Sequence, residues 1–276
     1  MINTAAALRC QGLTKRFAET TAVDRLDLTV PSGSIFGLLG PNGSGKTSTI
    51  RTTLGIYVPD GGSVDLLGSR DPLSVRHRVG YLPEERGLYA KMKVVEQLAF
   101  LASIRGLDQK ESTGRAGAWL DRVGLADNAQ SLTSELSKGM QQKVQFASAV
   151  IHDPDLVVLD EPFTGLDPVN TRLLKELILE QRERGATVVL STHRMEQVEA
   201  LCESICLIHH GRPVLSGVLA DIKLEPGANA QAVIRALLDR VEVQAVRLEH
   251  PHIEEIYLEK VGDQSAAPGA AIGGTA

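Results

Sequence analysis

The stretch Gly40-Pro41-Asn42-Gly43-Ser44-Gly45-Lys46-Thr47 decides how the rest of this chain is interpreted. The apolar run Ile35 to Leu39 precedes it and predicts a buried strand, while Ser48 to Tyr57 follows it and predicts a helix. A strand, a glycine-rich loop and a helix in this order are the context in which the spacing G-x-x-x-x-G-K-[ST] indicates a phosphate-binding loop.

Each part of this loop has a chemical use toward phosphate. The glycines leave backbone N–H groups free to converge on phosphate oxygens, and the following helix presents its positive end to them. Lys46 would reach the β and γ phosphates, and Thr47 would offer its hydroxyl to Mg²⁺. A glycine-rich turn that binds nothing is the alternative, but the flanking strand and helix favour a nucleotide site.

The composition limits the class of protein. A formal net charge of −5 argues against a mainly electrostatic grip on nucleic acid. No apolar run approaches the roughly 18 residues of a membrane span, and Met1 to Arg9 lacks the pattern of a signal peptide. The three cysteines show no C-x-x-C spacing and are expected to be buried and reduced. We therefore expect a cytoplasmic protein, or one that reaches a membrane only through a partner.

The segment before the loop, residues 8–39, alternates apolar stretches with Pro and Gly and predicts short antiparallel strands. Phe17 stands out in it because only 4% of the chain is aromatic. An exposed aromatic side chain here could stack on an adenine ring, whereas a strand residue would face the core. The local sequence favours neither interpretation.

Residues 92–150 change character and predict helices without strands. Val94, Leu98 and Leu101 share one helical face, and further helices are predicted over Gly114 to Val123 and Lys138 to His152. Such a run suggests a helical subdomain inserted into a sheet protein.

The sheet pattern resumes after this insertion. Leu156 to Leu159 is a fully apolar strand that ends in Asp160 and Glu161, which delivers two carboxylates to the C-terminal edge of a parallel sheet. Asp160 would hold Mg²⁺ through water, and Glu161 would aim a water at the γ phosphate. A helix is predicted over Pro168 to Arg184, and the strand Ala186 to Thr192 ends at His193, a candidate γ-phosphate sensor on the same edge.

The core is predicted to be complete near residue 222. His209-His210 is interpreted as the tip of a turn because Gly211 follows it. Beyond the core, a helix over Ala230 to Arg240, a strand from Val241 and a helical spacing over 251–260 are predicted. The Ala- and Gly-rich tail after Gly262 is predicted to be disordered.

Between the helical insertion and the carboxylate strand lies Leu136-Ser137-Lys138-Gly139-Met140-Gln141. With the phosphate loop, this stretch resembles the ATP-binding subunit of an ABC transporter, whose signature is Leu-Ser-Gly-Gly-Gln. The resemblance covers roughly residues 8–220 with every motif in the family's order, including Gly165-Leu166-Asp167. It implies an α/β P-loop NTPase (RecA-like) core with an N-terminal antiparallel β subdomain, an inserted α-helical subdomain at about 85–152, and a small C-terminal α+β appendage. The implied boundaries are 1–221 for the ATP-binding domain, 222–262 for the appendage and 263–276 for the disordered tail.

The resemblance also implies a role for each motif. Glu161 becomes the general base, His193 the γ-phosphate contact and Lys46 the cation on the phosphates. Phe17 becomes the adenine-stacking residue, and Asp167 belongs to the loop that communicates across a dimer. The remaining ATP-binding positions lie in the phosphate loop: Gly40, Pro41, Asn42, Gly43, Ser44, Gly45, Thr47 and Ser48. Ser137, Lys138, Gly139 and Met140 would act on the ATP held by a second subunit, so the site is composite and hydrolysis requires a head-to-tail pair. The implied cofactor is Mg²⁺, with Thr47, Asp160 and Glu84 as its candidate ligands.

The chain departs from the family pattern at three positions. Lys138 replaces the first Gly of the signature, Met140 replaces its Gln, and Glu84 stands where the family usually has a Gln that contacts Mg²⁺. The run Gly80 to Tyr89 resembles the ABC-2 type exporter branch, similar to bacterial sodium-extrusion and drug-efflux ATPases. Members of this branch often carry an appendage ending much like Pro251-His252-Ile253-Glu254-Glu255-Ile256-Tyr257, although the appendage here is shortened.

The expected activity is therefore ATP hydrolysis that powers export by a separate ABC-2 type permease. The expected partners are a second ATP-binding subunit, most simply an identical copy, and that permease, with no nucleic acid. The expected location is the cytoplasmic side of the plasma membrane. Two alternatives belong to other classes: a soluble ATPase acting on DNA or ribosomes, and a regulatory module that binds ATP without hydrolysing it. A soluble ATPase of that kind usually has a long coiled-coil insertion or two tandem cassettes, and this chain has neither. The intact Lys46, Glu161 and His193 argue against a module that does not hydrolyse ATP.

Overall fold

A computed structural model describes residues 6–85 and 87–219. Within these ranges the strands, in chain order, are β1 Ala6–Phe17, β2 Thr20–Pro31, β3 Ile35–Leu39, β4 Gly61–Leu66, β5 Val79–Leu82, β6 Leu156–Asp160, β7 Thr187–Thr192, β8 Ser204–His209 and β9 Arg212–Val218. The helices are α1 Lys46–Thr53, α2 Val94–Ser103, α3 Gln109–Arg122, α4 Lys138–Val150, α5 Pro168–Glu183 and α6 Met195–Leu201. The appendage predicted over 222–262 and the tail over 263–276 lie outside the described residues.

The larger sheet has six strands in the order β5-β6-β7-β3-β8-β9, and all neighbours except the pair β8-β9 are parallel. Its central strands are buried on both faces, which is why their sequences are continuous apolar runs. Along β3, Ile35 and Leu39 pack toward the helical region while Phe36 and Leu38 pack toward the smaller sheet. The buried strands predicted at 35–39, 156–159 and 186–192 are confirmed, with β6 extending to Asp160 and β7 beginning at Thr187.

The smaller sheet is antiparallel, in the order β2-β1-β4. The prediction of short strands ahead of the loop was wrong, because β1 and β2 have twelve residues each. Their register shifts at several points, and Gly12 has a φ of 58° near one shift. These irregularities interrupt the alternation of apolar residues, so two long strands read as several short ones.

The helical region over 92–150 carries α2, α3 and α4 and, among the described residues, no strand, as predicted. Its core is continuous with that of the larger sheet, since Leu98, Trp119 and Phe146 belong to the same cluster as Leu159. The second helix begins at Gln109 rather than Gly114, because the Asp108 carboxylate accepts a hydrogen bond from Glu111 N at 2.8 Å and caps it there.

Other boundaries also differ from the predictions. The helix after the phosphate loop begins at Lys46 and ends at Thr53, not Tyr57, since Gly55 follows with a φ of 72°. The helices predicted to reach His152 and Arg184 end at Val150 and Glu183. The pair His209-His210 does stand at the turn between β8 and β9, as predicted. No helix within the described ranges is long and apolar enough to cross a membrane.

Candidate active site

The phosphate loop joins β3 to α1 and is shaped by glycine. Gly45 caps α1 with a φ of 107°, and a Cβ atom at this position would lie 2.3 Å from the Ala22 carbonyl oxygen. Only a residue without a side chain allows this close approach of the loop to β2. Ser44 is buried, and its N–H donates to the Pro41 carbonyl at 3.2 Å, which closes the turn.

Lys46 is the only loop residue that carries a charge into the site, and its side chain is 6% exposed. Its ammonium group donates to the Gly40 carbonyl at 2.8 Å and to the Pro41 carbonyl at 3.1 Å. Burial lowers the pKa of Lys46, while the carboxylates of Glu161, Asp160 and Glu84 oppose that shift. The amine is therefore held beside the loop with three carboxylates within electrostatic reach.

Glu161 lies beside this amine and also contacts His193. Glu161 Oε1 lies 3.7 Å from Lys46 Nζ and 2.9 Å from His193 Nδ1. The meeting follows from the sheet order, because β6 and β7 are parallel neighbours with Asp160 opposite Ser191. The Glu161 carboxylate is 7% exposed, and its backbone has a φ of 50°, which is uncommon outside glycine. The three residues predicted to be catalytic are thus brought together.

Asp160 is fully buried beside them. Its Oδ1 accepts a hydrogen bond from the Ser191 hydroxyl, whereas Oδ2 has no hydrogen-bond partner among the described residues. An unsatisfied buried carboxylate oxygen fits a metal-bound water, and hydroxyl and carboxylate oxygens are the donors that Mg²⁺ prefers. The described residues contain no group of three or more His, Cys, Asp or Glu that could hold a metal. The donors Thr47, Asp160 and Glu84 thus suit an Mg²⁺ that arrives with phosphate and water ligands.

A cavity of about 480 Å³ opens beside these groups. The predicted loop residues from Asn42 to Ser48 line it, except for Ser44, whereas Gly40 and Pro41 do not. Glu84 lines the cavity with an exposed side chain. The full lining is Thr20, Thr21, Ala22, Asn42, Gly43, Gly45, Lys46, Thr47, Ser48, Glu84, Glu161, His210 and Gly211.

Phe17 stands at the end of β1 with 40% of its surface exposed, so it is not a core residue. Its ring packs edge-on against Tyr57 at 5.1 Å between centroids, and the Lys15 ammonium lies 5.3 Å from it. It does not line the cavity itself, but it pairs with Thr20, which does. A solvent-facing aromatic at the edge of the cavity is compatible with stacking on a base.

The signature residues lie on a different surface of the chain. Ser137 caps α4, its hydroxyl accepting from Met140 N at 3.3 Å, and Lys138 is exposed. Asp167 caps α5 by accepting from Asn170 N at 2.8 Å, and hydrogen bonds from Asn170 hold its pKa below the ordinary value. A Cβ atom on Gly139 would lie 3.7 Å from the Asn170 side chain. The signature and the Asp167 loop therefore adjoin each other, and neither lines the cavity of its own chain.

Two parts of the cavity lining were not predicted from the sequence. Thr20 to Ala22 at the start of β2 and His210-Gly211 at the β8–β9 turn both face the cavity. The sequence signal for the turn was the His-His-Gly tip, but its position beside the phosphate loop depends on the sheet order.

Comparison with known proteins places these features in a family. Residues 23–164 match the ABC transporter family. YhaQ of Bacillus subtilis, named an uncharacterized ABC transporter ATP-binding protein, is 40% identical, with 91% of this chain and 97% of YhaQ covered. The Nod factor export ATP-binding protein I of Cupriavidus pinatubonensis is 39% identical, with 79% and 68% covered.

Solved structures agree with this result. The structure of an ATP-binding subunit of an ABC transporter is 30% identical with a TM-score of 0.77, covering 92% of this chain and 99% of that one. CbiO1 of Clostridium perfringens, described as part of the ABC transporter complex CbiONQ, is 25% identical with a TM-score of 0.70, covering 86% and 96%.

Proposed function

Because this chain belongs to the ABC transporter family of ATP-binding proteins, which hydrolyse ATP to drive transport, we propose that it powers export through a separate ABC-2 type permease at the cytoplasmic face of the membrane. The convergence of Lys46, Glu161 and His193 on one point carries the catalytic part of this proposal. Similarity to a protein named for Nod factor export supports the direction of transport.

The three side chains divide the work of hydrolysis. Lys46 leaves its carbonyl partners to bind the β and γ phosphates, Glu161 accepts a proton from the attacking water, and His193 contacts the γ phosphate while orienting Glu161. Thr47, Asp160 and Glu84 would hold Mg²⁺, which would neutralise charge on the phosphates. Phe17 stacks on the adenine ring. Phosphate oxygens compete with Glu161 for Lys46 and for the His193 ring, which frees the carboxylate to act as a base.

Replacing Glu161 by Gln tests this division. The amide is nearly isosteric but cannot take the proton, so hydrolysis should fall by about 10²–10⁴-fold while ATP binding persists. Glu180→Gln is a matched control, because it changes an exposed carboxylate on α5 that pairs with Arg122. Hydrolysis by Glu161→Gln at the rate of the control would overturn the assignment of the base.

The signature supports a composite site in a head-to-tail homodimer. Ser137 and Gly139 lie away from the cavity of their own chain, so they bind the γ phosphate held by the second copy, with Lys138 and Met140 beside them. Asp167 adjoins the signature through Asn170 and belongs to the same dimer surface.

Mixing two inactive variants tests the composite site. A Lys46→Ala chain paired with a Ser137→Arg chain contains one site with both defects and one site with neither. We expect the mixture to recover ATPase activity that neither variant has alone. If the signature acted within its own chain, every site would carry one defect and the mixture would stay inactive.

A second cavity supplies a surface for the permease. It has a volume of about 510 Å³ and lies between the residues that follow α1, residues of the region 66–81, and the two residues that follow α2. Three exposed apolar side chains form part of it: Ile56, Leu73 and Ile104. Its basic side chains are Arg76, His77 and Arg105, and no carboxylate lines it. None of these three forms an ion pair with a described residue, and burial followed by repulsion from Arg76 lowers the pKa of Arg105. An amphipathic permease segment that carries a carboxylate complements this groove.

Charge reversal in the groove tests the docking. Arg105→Glu should reduce co-purification with the co-expressed permease while the ATPase activity of the isolated subunit is retained. Arg9→Glu, an equal change at an exposed position of β1, serves as the control. Equal capture of both variants would show that the permease binds elsewhere, and capture of ribosomes or DNA instead of a membrane protein would favour the alternative class of ATPase.

A further inference from the structure

The β8–β9 turn is built against the phosphate loop. His210 and Gly211 have φ values of 46° and 74°, the pair of left-handed residues that a two-residue type I′ hairpin requires. Gly211 N donates to the Ser44 carbonyl at 2.8 Å, and the Gly211 carbonyl accepts from Asp24 N at 2.8 Å. Arg212 then pairs with the Asp24 carboxylate at 2.7 Å. The turn is therefore fixed to both the loop and the start of β2.

This anchoring places on the wall of the cavity an imidazole that has no role in the hydrolysis proposed above. His210 lines the cavity with Ala22, Gly43 and Lys46, and its side chain is exposed. Its ring contacts the ring of His209, at 4.1 Å between centroids. The first left-handed position of such a turn favours Asn, Asp or Gly. Histidine is also tolerated at positive φ, so the turn permits a histidine here without requiring one.

We propose that His210 is a further nucleotide contact, which donates a hydrogen bond to the phosphate chain of ATP and holds it more strongly when protonated. This inference rests on the proposed function of the cavity. The Gly211 bond to Ser44 keeps the imidazole near the N-terminal end of α1, where phosphate oxygens gather. Because the backbone of the turn is bonded to both the phosphate loop and β2, only the His210 side chain has to rotate to reach a phosphate oxygen.

The charges around the imidazole favour this role. Lys46 is the cation that faces the same cavity, Glu84 and Glu161 are its carboxylates, and Asp24 and Arg212 neutralise each other at the turn. His209 adds a second imidazole, whose pKa is lowered by burial and then by His210. Bound phosphates carry several negative charges, which attract an imidazolium ring more strongly than a neutral one. Histidine changes charge between about pH 5 and 8, so this contact strengthens as the pH falls across that range.

The test measures affinity for Mg²⁺-ADP by titration calorimetry at about pH 6 and about pH 8. His210→Asn is the informative variant, because Asn suits the turn but lacks the titrating ring. Arg9→Asn is the control, since it removes an exposed positive charge of β1 that lines neither cavity. Comparing variants at each pH cancels the ionisation of the nucleotide itself, and thermal unfolding verifies that both variants are folded.

We expect His210→Asn to bind roughly fivefold more weakly than wild type at the lower pH, the size of an exposed ion pair, and nearly equally at the higher pH. The control should match wild type at both. Equal affinities of His210→Asn and wild type at both pH values would overturn the inference. A deficit that does not depend on pH would also overturn it, because it would indicate stacking on the base or sugar. Failure of the wild-type protein to bind nucleotide would instead overturn the proposed function.

Discussion

A side chain at Gly45 would collide with the backbone of β2, whereas a side chain at Gly43, in the same loop, would not. In Gly45→Ala, the new methyl group would lie 2.3 Å from the Ala22 carbonyl oxygen and 3.4 Å from Gly211 Cα. Both neighbours are backbone atoms, so no side-chain rotation relieves the overlap. In Gly43→Ala, the methyl group would have no atom within 4 Å. Both glycines have positive φ values, 107° and 78°.

The two variants share one cost and differ in another. A left-handed conformation costs an alanine about 1–2 kcal/mol, which applies to both. The overlap at Gly45 must be relieved by moving the loop away from β2, and forced repacking of this kind typically costs about 1–3 kcal/mol more. We therefore expect losses in the free energy of unfolding of about 1–2 kcal/mol for Gly43→Ala and about 2–5 kcal/mol for Gly45→Ala.

Urea unfolding followed by circular dichroism measures both losses, and the slope with urea verifies that the two variants unfold like wild type. The Gly45 variant should also lose nucleotide affinity, because the phosphate loop and the start of β2, which would be pushed apart, both line the cavity. Equal destabilisation of the two variants would refute the reasoning, since it would mean that a Cβ atom at Gly45 does not come within 2.3 Å of the Ala22 carbonyl oxygen.

Four further predictions concern other parts of the chain. Lys46→Ala should weaken ATP binding in a direct assay, because it removes the cation that faces the phosphates. Glu84→Ala should raise the Mg²⁺ concentration needed for half-maximal ATPase activity, whereas Glu84→Gln keeps an oxygen donor and should retain much of the rate; identical curves for wild type and Glu84→Ala would mean that Glu84 is no ligand. Deletion from about Pro226 onward should leave ATP binding intact, because every catalytic motif precedes it, and a soluble truncated chain that does not bind ATP would show that the domain boundary is wrong. His152 predicts a pH dependence: burial, and then repulsion from Arg105, lowers its pKa from 6.5 to about 4. The unfolded chain binds the proton more tightly than the folded chain, so protonation of His152 destabilises the fold. The loss in the free energy of unfolding is absent above pH 6.5, grows as the pH falls toward 4, and is at most about 3 kcal/mol. His152→Gln should flatten that slope in urea unfolding at a series of pH values.

Local chemistry made the strands of the larger sheet and the phosphate loop predictable. A buried parallel strand needs an uninterrupted apolar run, and the runs at 35–39 and 156–159 are of this kind. The loop is a short motif whose spacing is itself the signal. Helix ends were less predictable, because a cap such as Asp108 depends on a single hydrogen bond.

Spatial neighbours far apart in sequence could not be predicted. The β8–β9 turn reaches the phosphate loop because β8 pairs with β3, a contact between residues about 170 positions apart along the chain. The groove between the main body and α2 likewise combines side chains from four separate segments. Composition and periodicity describe each segment but carry no information on which segments become adjacent.

The directions of two adjacent side chains, Asp160 and Glu161, could not be predicted from the sequence either. In a regular strand, consecutive side chains point to opposite faces of the sheet, so adjacent carboxylates would be separated. Both nevertheless lie close enough to Lys46 to oppose the lowering of its pKa. The left-handed backbone at Glu161, with a φ of 50°, interrupts the alternation just where β6 ends, and its N–H donates to the Ser191 carbonyl at 3.1 Å. A glutamate has no intrinsic preference for this conformation, which the neighbouring strand must therefore stabilise. The sequence Asp-Glu predicts two acids at the sheet edge, but only the fold around them determines that both face one amine.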